Sequence, residues 1–180
     1  MNRLLPLFVG VALCAGARPS VPKFTEMARK YAASAKYCSD AAEGDVCRMS
    51  HPDAVKYCAE TAGGLPMTRA FGMYAQAQGS KGMLEVADVA KRLKGVPPQG
   101  YYKVDAENGD TFYFNNDGYK APEGPMGTES FWTASIVTKK PEYAHVYYGR
   151  LGGGGGTPEE HRLTYRHAVV CLARKGKRRG

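Results

Sequence analysis

A chain of 180 residues that is 43% hydrophobic and 23% charged is sized for one globular domain with at most an appendage. Its 22 glycines and 11 prolines stay below the roughly 25–30% at which low complexity becomes the default reading, and no apolar run reaches the roughly 18 residues that span a bilayer, which excludes an integral helical membrane protein. Of the formal net charge of +8, most sits in Arg174, Lys175, Lys177, Arg178 and Arg179, so the body is nearly neutral, whereas a specific nucleic-acid-binding domain would spread its cations across one face.

Asn2 and Arg3 precede the apolar stretch Leu4 to Cys14, and Ala15-Gly16-Ala17 offers small residues where a signal peptidase reads. Residues 1–17 therefore read as a secretory signal, and the mature chain as extracytoplasmic: periplasmic, surface-held or released. Leu13 stands where a lipid-modified cysteine wants a small neighbour, which argues against lipidation of Cys14. Once Cys14 is set aside, Cys38, Cys47, Cys58 and Cys171 remain, and in an oxidising compartment they allow two bridges in three connectivities.

Along the mature chain, Phe24, Met27, Ala28, Tyr31 and Ala35 fall at helical intervals and predict a short amphipathic helix. Cys38 and Cys47 bracket a polar loop of the size a local disulfide closes, so residues 18–49 read as a helical appendage. Ser50-His51-Pro52-Asp53 supplies a capping residue, a first-turn proline and an acid three positions on, which predicts a helix start. Gly63-Gly64 ends it, a second helix follows Leu65-Pro66-Met67-Thr68, and a third is predicted from Met83 to Leu93, closed by Gly95 and Pro97-Pro98. Beyond Pro98 the pattern turns to strands: Tyr101–Val104, Thr111–Phe114, Phe131–Thr138, Ala144–Gly149 and Ala168–Leu172, with turns at Asp105–Asp110, Asn115–Gly118 and Lys139–Glu142. Helices first and strands afterwards predict α+β.

No chemistry-bearing motif is complete. Gly152 to Gly156 lacks both the Gly-Lys-Ser/Thr of a phosphate loop and a following helix. Ser130 and Ser135 have no nucleophile-elbow frame. There is no Cys-x-x-Cys and no helical histidine pair, so no metal or cofactor is indicated, and His51, His145, His161 and His167 read as exposed solubilising residues.

Five stretches in order, Asp53–Glu60, Gly63–Pro66, Phe131–Ser135, Ala144–Tyr147 and His167–Leu172, together resemble the Lcl C-terminal domain family of bacterial secreted and surface proteins. The pattern is more distantly similar to C-type lectin-like domains. The resemblance covers residues 50–173 and implies a C-type lectin-like α+β fold, with helices packed on a small, twisted, mostly antiparallel sheet. It implies the pair Cys58–Cys171, which leaves Cys38 with Cys47, and it places Trp132 inside the sheet. The calcium-loop signatures of true lectins are absent, so calcium-dependent sugar binding is not implied. The function implied is that of a non-enzymatic adhesin-like binding module attaching to polysaccharide or another surface polyanion; the alternative is a structural domain making protein contacts at the bacterial surface.

Tyr143, Tyr147 and Tyr148 next to Arg150 are the candidate ligand contacts, since tyrosine offers an apolar face with a polar tip. Residues 174–180 form a basic tail with no apolar anchor, and Arg174, Lys175, Lys177, Arg178 and Arg179 are a candidate anion-binding element.

Overall fold

The computed structural model describes residues 20–31, 34–38, 40–77, 83–115, 129–148 and 158–174. The expected signal segment, the Asn116–Gly118 part of one turn, the Gly152–Gly156 loop, Arg150 and the tail from Lys175 lie outside them. The described elements are β1 (Arg48–Met49), α1 (His51–Thr61), α2 (Thr68–Ala77), β2 (Met83–Glu85), α3 (Val86–Arg92), β3 (Tyr101–Val104), β4 (Phe112–Asn115), β5 (Ser130–Ile136), β6 (Tyr143–Tyr148), β7 (Pro158–Arg162) and β8 (His167–Ala168), with one 3-10 turn at Ala35–Tyr37. The fold is α+β.

The strands form a five-stranded sheet in the order β1-β8-β5-β6-β7 and a three-stranded sheet in the order β2-β4-β3. All pairings are antiparallel except β5 with β8. Successive strand side chains point to opposite faces, and on β5 both faces are buried. Trp132 joins Met49, Ala54, Cys58 and Val146 in one apolar cluster, while Phe131 joins Phe71, Phe112, Phe114 and Tyr147 in the other. Trp132 is fully buried, and its indole N–H donates to the Met49 carbonyl at 2.7 Å.

Helix α1 starts where the capping signals stand. Pro52 occupies its first turn, and the Ser50 hydroxyl donates to the Asp53 carboxylate at 2.7 Å. Ala54 and Cys58 form its buried stripe. Gly63-Gly64 does more than stop the helix. The Gly63 N–H donates to the Leu172 carbonyl at 2.7 Å and the Leu172 N–H to Gly64 at 2.9 Å. A Cβ on Gly63 would lie 2.8 Å from that Leu172 oxygen, so only glycine admits this approach. Disulfides join Cys58 to Cys171, across 113 positions, and Cys38 to Cys47.

Three expectations are corrected. The helix predicted from Phe24 to Ala35 is not formed among the described residues: Phe24 to Lys30 is non-helical chain with isolated bridges from Phe24 to Leu172 and from Arg29 to Val46, and the only helical piece is the 3-10 turn at Ala35–Tyr37. Its backbone finds distant partners: Thr25 N–H donates to Cys171 and Ala28 N–H to Val169, both at 2.8 Å, and Ala173 N–H returns to Lys23. Phe24 stacks on Phe71 with ring centroids 5.0 Å apart, and Ala28, Tyr37, Cys38 and Cys47 are buried in the Trp132 cluster. The segment is thus woven into the body, because hydrogen bonds to the chain that follows β8 outcompete a short, locally satisfied helix. Second, Met83–Glu85 pairs with β4 as a strand, and the helix begins only at Val86. Third, His51, His145 and His167 are buried rather than exposed.

Candidate functional site

The outer edge of the five-stranded sheet carries two side-chain groups, one on each face. Strand β7, at that edge, pairs antiparallel with β6, setting Tyr143 opposite Arg162, Ala144 opposite His161 and Val146 opposite Glu159. Its sequence gave no strand signal, because Glu159, Glu160 and Arg162 are exposed charges of the kind that protect edge strands.

On the first face stands Tyr143, half-buried. Arg162 Nε donates to its hydroxyl at 3.1 Å, the guanidinium carbon lies 5.8 Å from the ring centroid and Lys140 Nζ 5.9 Å from it. Lys140 also bonds Glu160 at 2.6 Å, and that bond holds its ammonium above the usual lysine range. The group is a phenol ring with two exposed cations close to it, one of them paired with Glu160, able to offer an apolar surface and charge to one ligand.

Tyr147, expected beside it, is not a surface residue. It points the same way as Tyr143 but lies beneath α2, 1% exposed, stacked on Phe71 at 4.8 Å between centroids and edge-on to Phe114. Two-residue alternation carries it from the rim into the core.

Tyr148 turns to the opposite face, into a cluster that sequence spacing did not show. Ser130 on β5 faces Tyr148 across the ladder, β7 brings in Glu159 and His161, and β8 brings in His167. The contacts run continuously: Ser130 Oγ to His167 Nδ1 at 2.7 Å, His167 Nε2 to His161 Nδ1 at 2.9 Å, and His161 Nε2 to Tyr148 Oη at 3.1 Å and Glu159 Oε2 at 3.5 Å. Trp132 meets the His167 ring edge-on, centroids 4.6 Å apart. Burial, then the neighbouring His161 and Arg48, lower His167 to about 4, so at neutral pH it is an uncharged imidazole and a weak base. The Tyr148 hydroxyl is pushed up, first by burial and then by the Glu159 charge. Only the register of β5, β6, β7 and β8 assembles these residues, so no local motif could have announced them.

Elsewhere, Asp110 is buried and receives Arg69 N–H at 3.1 Å, Arg69 Nε at 3.2 Å and the Ser135 hydroxyl at 2.7 Å, a satisfied brace between α2, β5 and the turn before β4. Arg174, expected in the free tail, is fixed: its guanidinium donates to the carbonyls of Ala62 at 3.1 Å and Glu60 at 3.0 Å, completing orphan acceptors at the end of α1. No helix among the described residues is long and apolar enough to cross a membrane. The two disulfides are consistent with an extracytoplasmic location. No family model, curated protein or solved structure matches the chain.

Proposed function

We propose that the chain is an extracytoplasmic, non-enzymatic binding module, C-type lectin-like and of the Lcl C-terminal kind, that attaches to polysaccharide or another anionic surface polymer. The observation that carries this reading is the Tyr143 ring flanked by Arg162 and Lys140 on the exposed sheet edge. A sugar ring stacks on the phenol while its acidic substituents meet the cations. Support for the lectin-like fold comes from the bond between the helix cysteine Cys58 and Cys171 beside the last strand, and from the hydrogen bonds of the N-terminal segment to the residues that follow that strand, Val169 to Leu172. A surface or periplasmic home agrees with both disulfides.

Retention on immobilised heparin tests the reading. The mature chain is expected to elute at higher salt than Tyr143→Ala with Arg162→Gln, and also at higher salt than a chain ending at Arg174, which keeps the α1 cap but drops the remaining tail cations. If all three elute together, neither element binds anions. The second reading, an assembly domain making protein contacts, draws on Val96, 71% exposed, and Tyr102, 51% exposed.

A further inference from the structure

We propose that His161 and His167 form a binding site for a divalent late first-row transition ion, copper(II) most tightly. The site lies on the opposite face of the sheet edge from Tyr143 and goes beyond the polymer-binding reading, on which it does not depend.

The facing nitrogens, His161 Nδ1 and His167 Nε2, are 2.9 Å apart. Imidazole nitrogens bind such ions at about 2.0–2.1 Å, so two cis ligands of one ion sit roughly 3 Å from each other. The distal nitrogens are also provided for. Ser130 Oγ lies on His167 Nδ1, and Tyr148 Oη with Glu159 Oε2 lies on His161 Nε2. Each ring therefore has an acceptor for its N–H on the side away from its neighbour, so the tautomer that frees both facing lone pairs, the one an ion would select, has its protons accommodated. This outer arrangement of hydroxyl and carboxylate is the one that orients metal-ligating histidines. Without an ion, one facing nitrogen carries the proton that joins the rings; with an ion, that proton moves to the distal nitrogen of the same ring, and none has to leave.

Access and polarity agree. The His161 side chain is 20% exposed, giving solvent entry, while Trp132 backs His167 from the core. Among the described residues no group of three or more His, Cys, Asp and Glu side chains is placed to hold an ion. The site therefore has two protein donors, with water completing the sphere. A sphere so open discriminates by intrinsic affinity, which peaks at copper(II) and falls to zinc(II) and nickel(II).

Trp132, the only tryptophan, touches His167 and is the reporter. Copper(II) chloride titrated into the full mature chain, without an affinity tag and in a non-coordinating buffer, is expected to quench its emission with saturation at one ion per chain. His161→Gln is expected to raise the half-saturating concentration at least tenfold, and Glu159→Gln with Ser130→Ala roughly 10–100-fold, the usual effect of losing outer partners. Electron paramagnetic resonance of the wild-type copper complex gives a readout that needs no variant and is expected to show nitrogen hyperfine structure from two imidazoles. A spectrum without imidazole nitrogen, or a quenching curve identical in a folded His161→Gln chain, overturns the proposal.

Discussion

Lowering the pH from 7 to 4.5 should weaken the fold through His167. In the folded chain this imidazole titrates at about 4, against about 6.5 in an unfolded one. Below pH 6.5 the unfolded chain takes up a proton that the folded chain refuses, so stability is fully present above that value and is lost progressively down to about pH 4. Each pH unit inside the window changes the free energy by about 1.4 kcal/mol, giving about 3 kcal/mol across the whole window. Burial also lowers His51, whose Nε2 bonds the Thr133 carbonyl at 2.9 Å, and His145, so both act in the same direction. Glu60 and Asp105 have carboxyls lowered by hydrogen bonds to lysines, and their contribution fades only below about pH 4.5, which leaves the upper window to the histidines. Urea unfolding at pH 7, 6, 5 and 4.5 reads the effect, with His167→Gln as control. The wild-type free energy should fall by a few kcal/mol, and the variant should fall less steeply. Equal stability at pH 7 and pH 5 would refute the reasoning.

Further consequences concern covalent and packing constraints. Replacing Cys58 and Cys171 together by Ala should cost about 4–5 kcal/mol and replacing Cys38 and Cys47 about 2–3, from loop-closure entropy over the two separations; urea midpoints of the two double variants should order accordingly. Gly63→Ala drives a methyl group against the Leu172 carbonyl and should destabilise by about 1–3 kcal/mol, seen as a lower melting temperature than that of the wild type. Asp110→Ala strips the Arg69 and Ser135 donors of their acceptor and should cost about 3 kcal/mol, measured by denaturant unfolding.

How far the sequence could be read depended on whether a signal was local. Ser50 to Asp53 announced α1 because the first-turn proline and the Ser50–Asp53 hydrogen bond act within one turn. The strands from Tyr101 to Asn115 were legible for the same reason, with Gly109 in the turn at a φ of +80°. Phe24 to Ala35 shows the converse: its 3–4 spacing fits a helix, yet its partners Val169 and Cys171 lie some 140 residues away, and spacing says nothing of them. Tyr147 and Tyr148 are neighbours in sequence, but strand alternation buries one in the Phe71 cluster and turns the other toward His161. The His161–His167 pair depends on strand order, which no composition or motif encodes.

The most direct test of the central claim is calorimetric titration of a defined sulfated oligosaccharide into the mature chain and into Tyr143→Ala with Arg162→Gln, at two salt concentrations. The wild type should bind with an affinity that falls as salt rises, as expected when cations meet an anionic polymer, and the variant, still folded by near-ultraviolet circular dichroism, should bind at least tenfold more weakly. Binding of equal strength in both chains would contradict the assignment of the polymer site to the sheet edge, and no heat in the wild type would contradict the binding function itself.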